Sequence, residues 1–358
     1  MVLIDGLQRR DRVAAEQPRV EIPIMRIILS SIRQAAGYSI LSLLVVLLLH
    51  ACASTDIAPA KTPKAIFIIV DGIPADVLER THTPSLDSIA SQGGYARAYV
   101  GGEIGAPSET PTVSAPGYNN LITGTWGNKH NVNDNAVENP NYQYWDIFRI
   151  AKAHDANLHT AVFSTWEDNR TKLIGDGLAE AGGHKLDYFF DGFEHDTDRF
   201  PHDESGSYIR QIDELVSNEA ARYVAEVGPD LSWIYLEFTD WIAHSFGDSP
   251  EQTDAVMIMD SFVNRIWTAI QKRQEAYNED WLIIITTDHG RDAATGKDHG
   301  GQSERERTIW IVTNSDSLNN HFSDMPAIVD ILPSIVAHLE LDMPPAIREQ
   351  LDGQSFID

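Results

Sequence analysis

The chain predicts an α/β/α sandwich around a mostly parallel central sheet, with a small cap insertion. Three observations lead there. The runs 64–70, 231–238 and 281–287 are continuous apolar segments rich in β-branched residues, as in strands buried on both faces. The segments between them carry helical spacing, and strands alternating with helices argue for a sheet covered on both sides. Each apolar run also meets an aspartate at its carboxyl end, Asp71, Asp240 or Asp288, where the functional loops of open α/β sheets gather.

Taken in order, residues 1–51 read as a signal peptide. Ile40 to Leu49 is almost unbroken apolar sequence behind Arg26 and Arg33; about ten such residues are too few to span a bilayer but suit a signal-peptide core. All four acids of this leader precede Met25, so translation is expected to start there. Cys52 is the sole cysteine, and Leu49-His50-Ala51-Cys52 resembles a bacterial lipobox, although His50 stands where a small residue is usual. The resemblance implies lipidation of Cys52, and Ala53-Ser54 point to the outer membrane, with a periplasmic domain on a tether spanning 52–63. An ordinary secretory signal is the alternative.

The main folded domain is expected over 64–358. Lys64–Val70 is its first strand. Helical segments follow over 83–93 and 144–153, a strand over 159–164, and a long helix over 207–227. Residues 167–205 have weak periodicity and many Gly, Asp and His residues, and read as the insertion folded over the sheet edge. Leu231–Phe238 is a buried strand, 255–277 a long helix, 281–287 and 308–312 strands, and 328–339 a closing helix.

Composition bounds the function. With 358 residues and 42% hydrophobic content the chain can bury a sizeable core, and its formal net charge is −26. Loss of residues 1–51 removes six arginines and four acids, leaving a still more negative surface. Such a surface repels nucleic-acid polymers and anionic membranes. A small anionic substrate therefore needs a local positive source, and bound metal ions supply one.

The aspartates come with ligand chemistry. His244 follows Asp240 by four residues, one helical turn on. His289 adjoins Asp288, and His299 follows a polar loop. Mixed Asp/His sets suit zinc or a similar borderline metal. Between the first two helices, Pro111-Thr-Val-Ser-Ala-Pro-Gly-Tyr-Asn-Asn-Leu-Ile-Thr-Gly124 places Ser114 at a turn before a helix, where amide dipoles favour an anion. Alone, such a serine reads as a helix cap; beside a metal set, it reads as a nucleophile.

Together these residues resemble the alkaline phosphatase superfamily, and within it the type I phosphodiesterases/nucleotide pyrophosphatases, over most of 64–340. The resemblance implies two zinc ions, one on Asp240, His244 and His299 and one on Asp71, Ser114, Asp288 and His289. It implies Ser114 as nucleophile, Thr112 as structural, and Asn135 as the donor to a non-bridging phosphoryl oxygen. Tyr235 matches one wall of the family's base-stacking clamp, with a core residue as the other reading; the opposite wall, a phenylalanine, is Ala115 here. The chain also resembles sulfatases in Ser-Ala-Pro-Gly-Tyr-x-x-Leu-x-Thr-Gly, but their arginine is Tyr118 here, and their paired aspartates after the first strand are Asp71-Gly72. The implied function is metal-dependent phosphodiester hydrolysis. Phosphomonoesterase or sulfatase-like activity, or a non-catalytic metal-binding lipoprotein, are the alternatives. Lys129, Arg170 and Lys172 are the candidate cations for clamping a monoester, and no protein partner is predicted.

Overall fold

The structure, a computed structural model, describes residues 60–358. The expected leader, the Met25 start and the lipidated Cys52 lie outside those residues. Seven strands form one sheet: β1 (Thr62–Val70), β2 (Gly94–Tyr99), β3 (Thr160–Ser164), β4 (Tyr188–Phe190), β5 (Leu231–Leu236), β6 (Glu279–Thr286) and β7 (Thr308–Thr313). Their order is β2-β7-β6-β1-β5-β3-β4, and only the pairings made by β7 are antiparallel.

β1 shows why its sequence has no polar face. Phe67 and Ile69 point into one core with Trp233, Tyr118 and Ile335, whereas Ile66, Ile68 and Val70 point into a second core with Phe262, Val263 and Ile266. Alternation of side chains along a strand feeds both layers, so both parities must be apolar. The helices Ser114–Thr123, Ile147–His154 and Ile331–His338 cover the first face. Helices Pro84–Ala90, Ser207–Glu226 and Pro250–Ala276 cover the other. The α/β/α sandwich is therefore the observed architecture.

Several boundaries differ from expectation. β1 begins at Thr62, inside the expected tether, because Thr62 and Pro63 pair with Glu279 and Asp280. β5 stops at Leu236 and the chain turns into a helix over Phe238–Phe246, so Asp240 lies in the first turn of that helix. Asp213 explains the early turn: its carboxylate accepts the Glu237 and Phe238 amides, satisfying helix-start donors from a neighbouring helix. The 167–205 segment supplies edge strand β4 in addition to loops, and so widens the sheet.

Candidate active site

The catalytic edge is assembled from neighbouring strand ends. β1 lies between β6 and β5, and the Asp71 amide donates to the Leu236 carbonyl at 3.0 Å. Asp71, Asp288 and His289 are buried, at 1%, 0% and 0% exposure. His289 Nε2 stands 3.4 Å from Asp71 Oδ1 and 3.3 Å from Asp288 Oδ2. Its Nδ1 donates to the Gly290 carbonyl at 2.9 Å, which leaves the Nε2 lone pair facing the carboxylates.

Each carboxylate is tethered by one oxygen. The hydroxyls of Tyr118 and Tyr235 both donate to Asp71 Oδ2, the latter at 2.7 Å, and the Gly72 amide donates to Asp288 Oδ1 at 3.1 Å. Asp71 Oδ1, Asp288 Oδ2 and His289 Nε2 are left buried with no hydrogen-bond partner. Buried polar atoms are rarely orphaned. Three that converge on one point, two carboxylate oxygens and one imidazole lone pair, fit a divalent cation.

Asp240, His244 and His299 form the adjoining set. Asp240 and His244 share the Phe238–Phe246 helix, with His244 Nε2 3.4 Å from Asp240 Oδ2 and 3.1 Å from His299 Nε2. His299 stacks on His289 with ring centroids 3.7 Å apart and donates from Nδ1 to the Thr112 carbonyl at 2.9 Å. The geometry groups Asp71, Asp288 and His289 in one potential metal cluster and Asp240, His289 and His299 in another. Five of the six sequence-expected Asp and His ligands fall in these clusters, with His289 shared between them, and His244 stands beside the second, against Asp240 and His299.

Titration behaviour follows from crowding of acids in a dry place. Burial, reinforced by Asp240 and Asp288, pushes the Asp71 carboxyl well above the usual carboxylate range, and burial with Asp240 pushes Asp288 up to about 7. Burial, followed by the nearby imidazole and guanidinium charges, drives His289 well below its ordinary value; His299 is also lowered, chiefly by burial. Neutral imidazoles beside carboxyls short of positive charge are what a metal set requires.

The Ser114 helix is pressed against this set. Ser114 is the first residue of the helix, earlier than expected, and Pro116 is tolerated because first-turn amides need no partner in the helix. Gly117, one turn on, has no room for a side chain: a Cβ there would lie 2.9 Å from the Cβ and the carbonyl oxygen of Asp288. Tyr118, four residues after Ser114, reaches Asp71. The face carrying Ser114 is therefore the face docked on the acids. Thr112 is structural, as the resemblance implied: its hydroxyl donates to the Gly301 carbonyl and accepts the Gly300 amide, stitching this turn to the His299 loop. Asn135 sits at the same helix start, where Oδ1 accepts the Ala115 amide at 2.9 Å.

Tyr235 requires a correction. It is 3% exposed in β5, its ring packs on Tyr118 at 4.9 Å, and its hydroxyl serves Asp71, so its face is not open to a base. Ala115 is fully buried in the core and offers no stacking wall either.

Arg291 is a site residue that sequence pattern alone does not single out, although it directly follows Asp-His-Gly. Its buried guanidinium binds the Asp240 carboxylate and carbonyl, the Gly72 carbonyl at 3.3 Å and the Lys297 carbonyl at 2.9 Å. It also explains Gly72. That residue has φ of +67°, and a Cβ would run into the guanidinium and 2.6 Å from Asp240 Oδ1. The second aspartate of the sulfatase pattern therefore has no space here.

A mostly parallel sheet thus carries acids and imidazoles at one edge and a hydroxyl at an adjacent helix start. Residues 65–335 match the family model described as type I phosphodiesterase / nucleotide pyrophosphatase, and the chain belongs to that family. It is 24% identical to GPI ethanolamine phosphate transferase 2 of Schizosaccharomyces pombe over 80% of this chain and 37% of that protein. It is 25% identical to an uncharacterized pyrophosphatase/phosphodiesterase of the same yeast over 69% of this chain and 46% of that one. The chain thus spans less than half the length of these curated relatives. Among solved structures it resembles the phosphonate monoester hydrolase of Agrobacterium radiobacter, with TM-score 0.56, 15% identity, and coverage of 82% and 76% of the two chains. It also resembles a 2-O glycosaminoglycan sulfatase, with TM-score 0.54, 14% identity, and coverage of 82% and 73%. Among the described residues, no helix is long and apolar enough to cross a membrane.

Proposed function

We propose that the protein is a metal-dependent phosphodiesterase with Ser114 as nucleophile and two zinc or similar divalent ions held by Asp71, Asp288 and His289 and by Asp240, His244 and His299. The observation that carries this reading is the convergence of three orphaned buried ligand atoms beside the helix start that bears Ser114. When bound, the ions supply positive charge for phosphoryl oxygens and lower the pKa of a hydroxyl or water.

The chain's own residues account for the rest. Ser114 Oγ loses its proton as it bonds to phosphorus, and the leaving alcohol departs with a proton. Water then forms a new P–O bond, breaks the Oγ–P bond and restores the serine proton. The Ala115 amide is committed to Asn135 Oδ1, Pro116 has no N–H and the Gly117 amide donates to the Val113 carbonyl, so Asn135, positioned by its Oδ1 and with its Nδ2 for a phosphoryl oxygen, is the donor this helix start offers. Tyr118 and Tyr235 hold Asp71, and Thr112 holds the His299 loop.

A diester fits better than a monoester because the candidate clamping cations are committed elsewhere. Lys129 pairs with Asp352, Arg170 with Asp191 and Lys172 with Asp168. Neither Ala115 nor Tyr235 is placed to clamp a base, which favours a small diester over a nucleotide. We also propose export and anchoring through lipidated Cys52. The enzymatic reading is tested by assaying zinc-reconstituted protein side by side on bis-p-nitrophenyl phosphate, a phosphomonoester, a nucleoside triphosphate and a sulfate ester. Preferred turnover of the diester is expected; preference for the sulfate ester overturns the reading.

A further inference from the structure

We propose that Arg291 makes the two metal positions unequal: the Asp71, Asp288 and His289 position binds tightly, and the Asp240, His244 and His299 position binds weakly and exchanges. The inference rests on the two-metal reading above and adds a ranking to it.

The first position presents two carboxylates and an imidazole, all essentially unexposed. The groups tethering its carboxylates are neutral, namely the hydroxyls of Tyr118, Tyr235 and Thr287 and the Gly72 amide. A cation entering this poorly screened place therefore meets two carboxylates that no positive side chain has neutralised. The second position has one carboxylate, and the guanidinium of Arg291 already rests on it. A guanidinium keeps its proton, so that set carries a formal charge near zero before any metal arrives. It is also wetter, since the His244 side chain is 44% exposed.

Arg291 has nowhere to withdraw. Its other nitrogens are fixed on the Gly72 and Lys297 carbonyls, and it fills the space a side chain at position 72 would take. Lys297 belongs to the loop that delivers His299, so the residue that shapes the second position also subtracts charge from it.

The test is titration of metal-free, full-length protein with Zn2+ in competition with a chromophoric chelator. Two steps separated by about ten-fold or more in affinity are expected. His244→Gln should remove only the weaker step. Arg291→Gln, which deletes the charge, should tighten the weaker step by about ten-fold and leave the tighter one in place, whereas Arg291→Lys should keep the separation. Equal steps in the wild type overturn the proposal, as does loss of the tighter step in His244→Gln. So does a separation that Arg291→Gln leaves unchanged or widens. If Arg291→Gln does not fold, the wild-type and His244→Gln titrations still decide the ranking. A wild-type protein that binds no Zn2+ overturns the two-metal reading itself.

Discussion

Gly117→Ala tests whether the Ser114 helix is docked on the acids tightly enough to set the position of the nucleophile. The added methyl would lie 2.9 Å from the Cβ and carbonyl oxygen of Asp288, where carbon contacts ordinarily settle at about 3.5–4.0 Å. Helix or strand end must therefore yield by about half an ångström or more. Overpacking of this kind costs about 1–3 kcal/mol, while alanine in a helix recovers about 1 kcal/mol over glycine. The net loss of stability should thus stay below about 2 kcal/mol. Catalysis should suffer more, because a misplacement of about 1 Å can cost about a hundred-fold and half of that about ten-fold in kcat. Thermal melting and hydrolysis of bis-p-nitrophenyl phosphate by the metal-loaded variant measure the two effects separately. An unchanged kcat together with an equal or higher Tm would refute the docking argument.

Other expectations concern neighbouring groups. Tyr118→Phe and Tyr235→Phe each remove one donor to Asp71 and should weaken Zn2+ binding by about ten-fold, the usual size of such outer contacts; chelator competition checks this, and unchanged affinity in both variants counts against the tethering role. Asp213 gives a pH signature: burial pushes its carboxyl up to about 6 despite its hydrogen bonds from Thr165 and the Glu237 and Phe238 amides, against about 3.9 in an unfolded chain. Because the folded value is raised, its contribution is fully present below about pH 4 and is lost, by about 3 kcal/mol, as pH rises through about 6. In urea unfolding, the stability advantage of wild type over Asp213→Asn should shrink by about that amount from pH ~4 to pH ~7, and a constant difference would show that Asp213 does not titrate this way. Cys52→Ser should abolish incorporation of labelled palmitate during bacterial expression; retained label would contradict lipidation at that residue.

Much of the site was legible because its residues are tied to local signals. Strand ends are marked by the change from apolar runs to Asp71 and Asp288, and the four-residue spacing of Asp240 and His244 does place them on one helix. What sequence could not show was the packing between elements. The early start of the Asp240 helix depends on Asp213, more than twenty residues upstream. The burial of Tyr235 depends on Tyr118, more than a hundred residues upstream, whose ring packs on it and whose hydroxyl meets its own. Edge strand β4, three residues long, carries no periodicity to detect and is defined by its pairing with β3. Arg291 has the same explanation: its contacts come from residues 72, 240 and 297, and only folding brings them to one guanidinium.

The most direct test of the central claim is mass mapping of metal-loaded protein quenched in acid during turnover of bis-p-nitrophenyl phosphate. The account predicts a covalent phosphoryl ester on Ser114, absent from Ser114→Ala, whose turnover is lost. Full metal-dependent turnover by Ser114→Ala, or an adduct on a different residue, would contradict it.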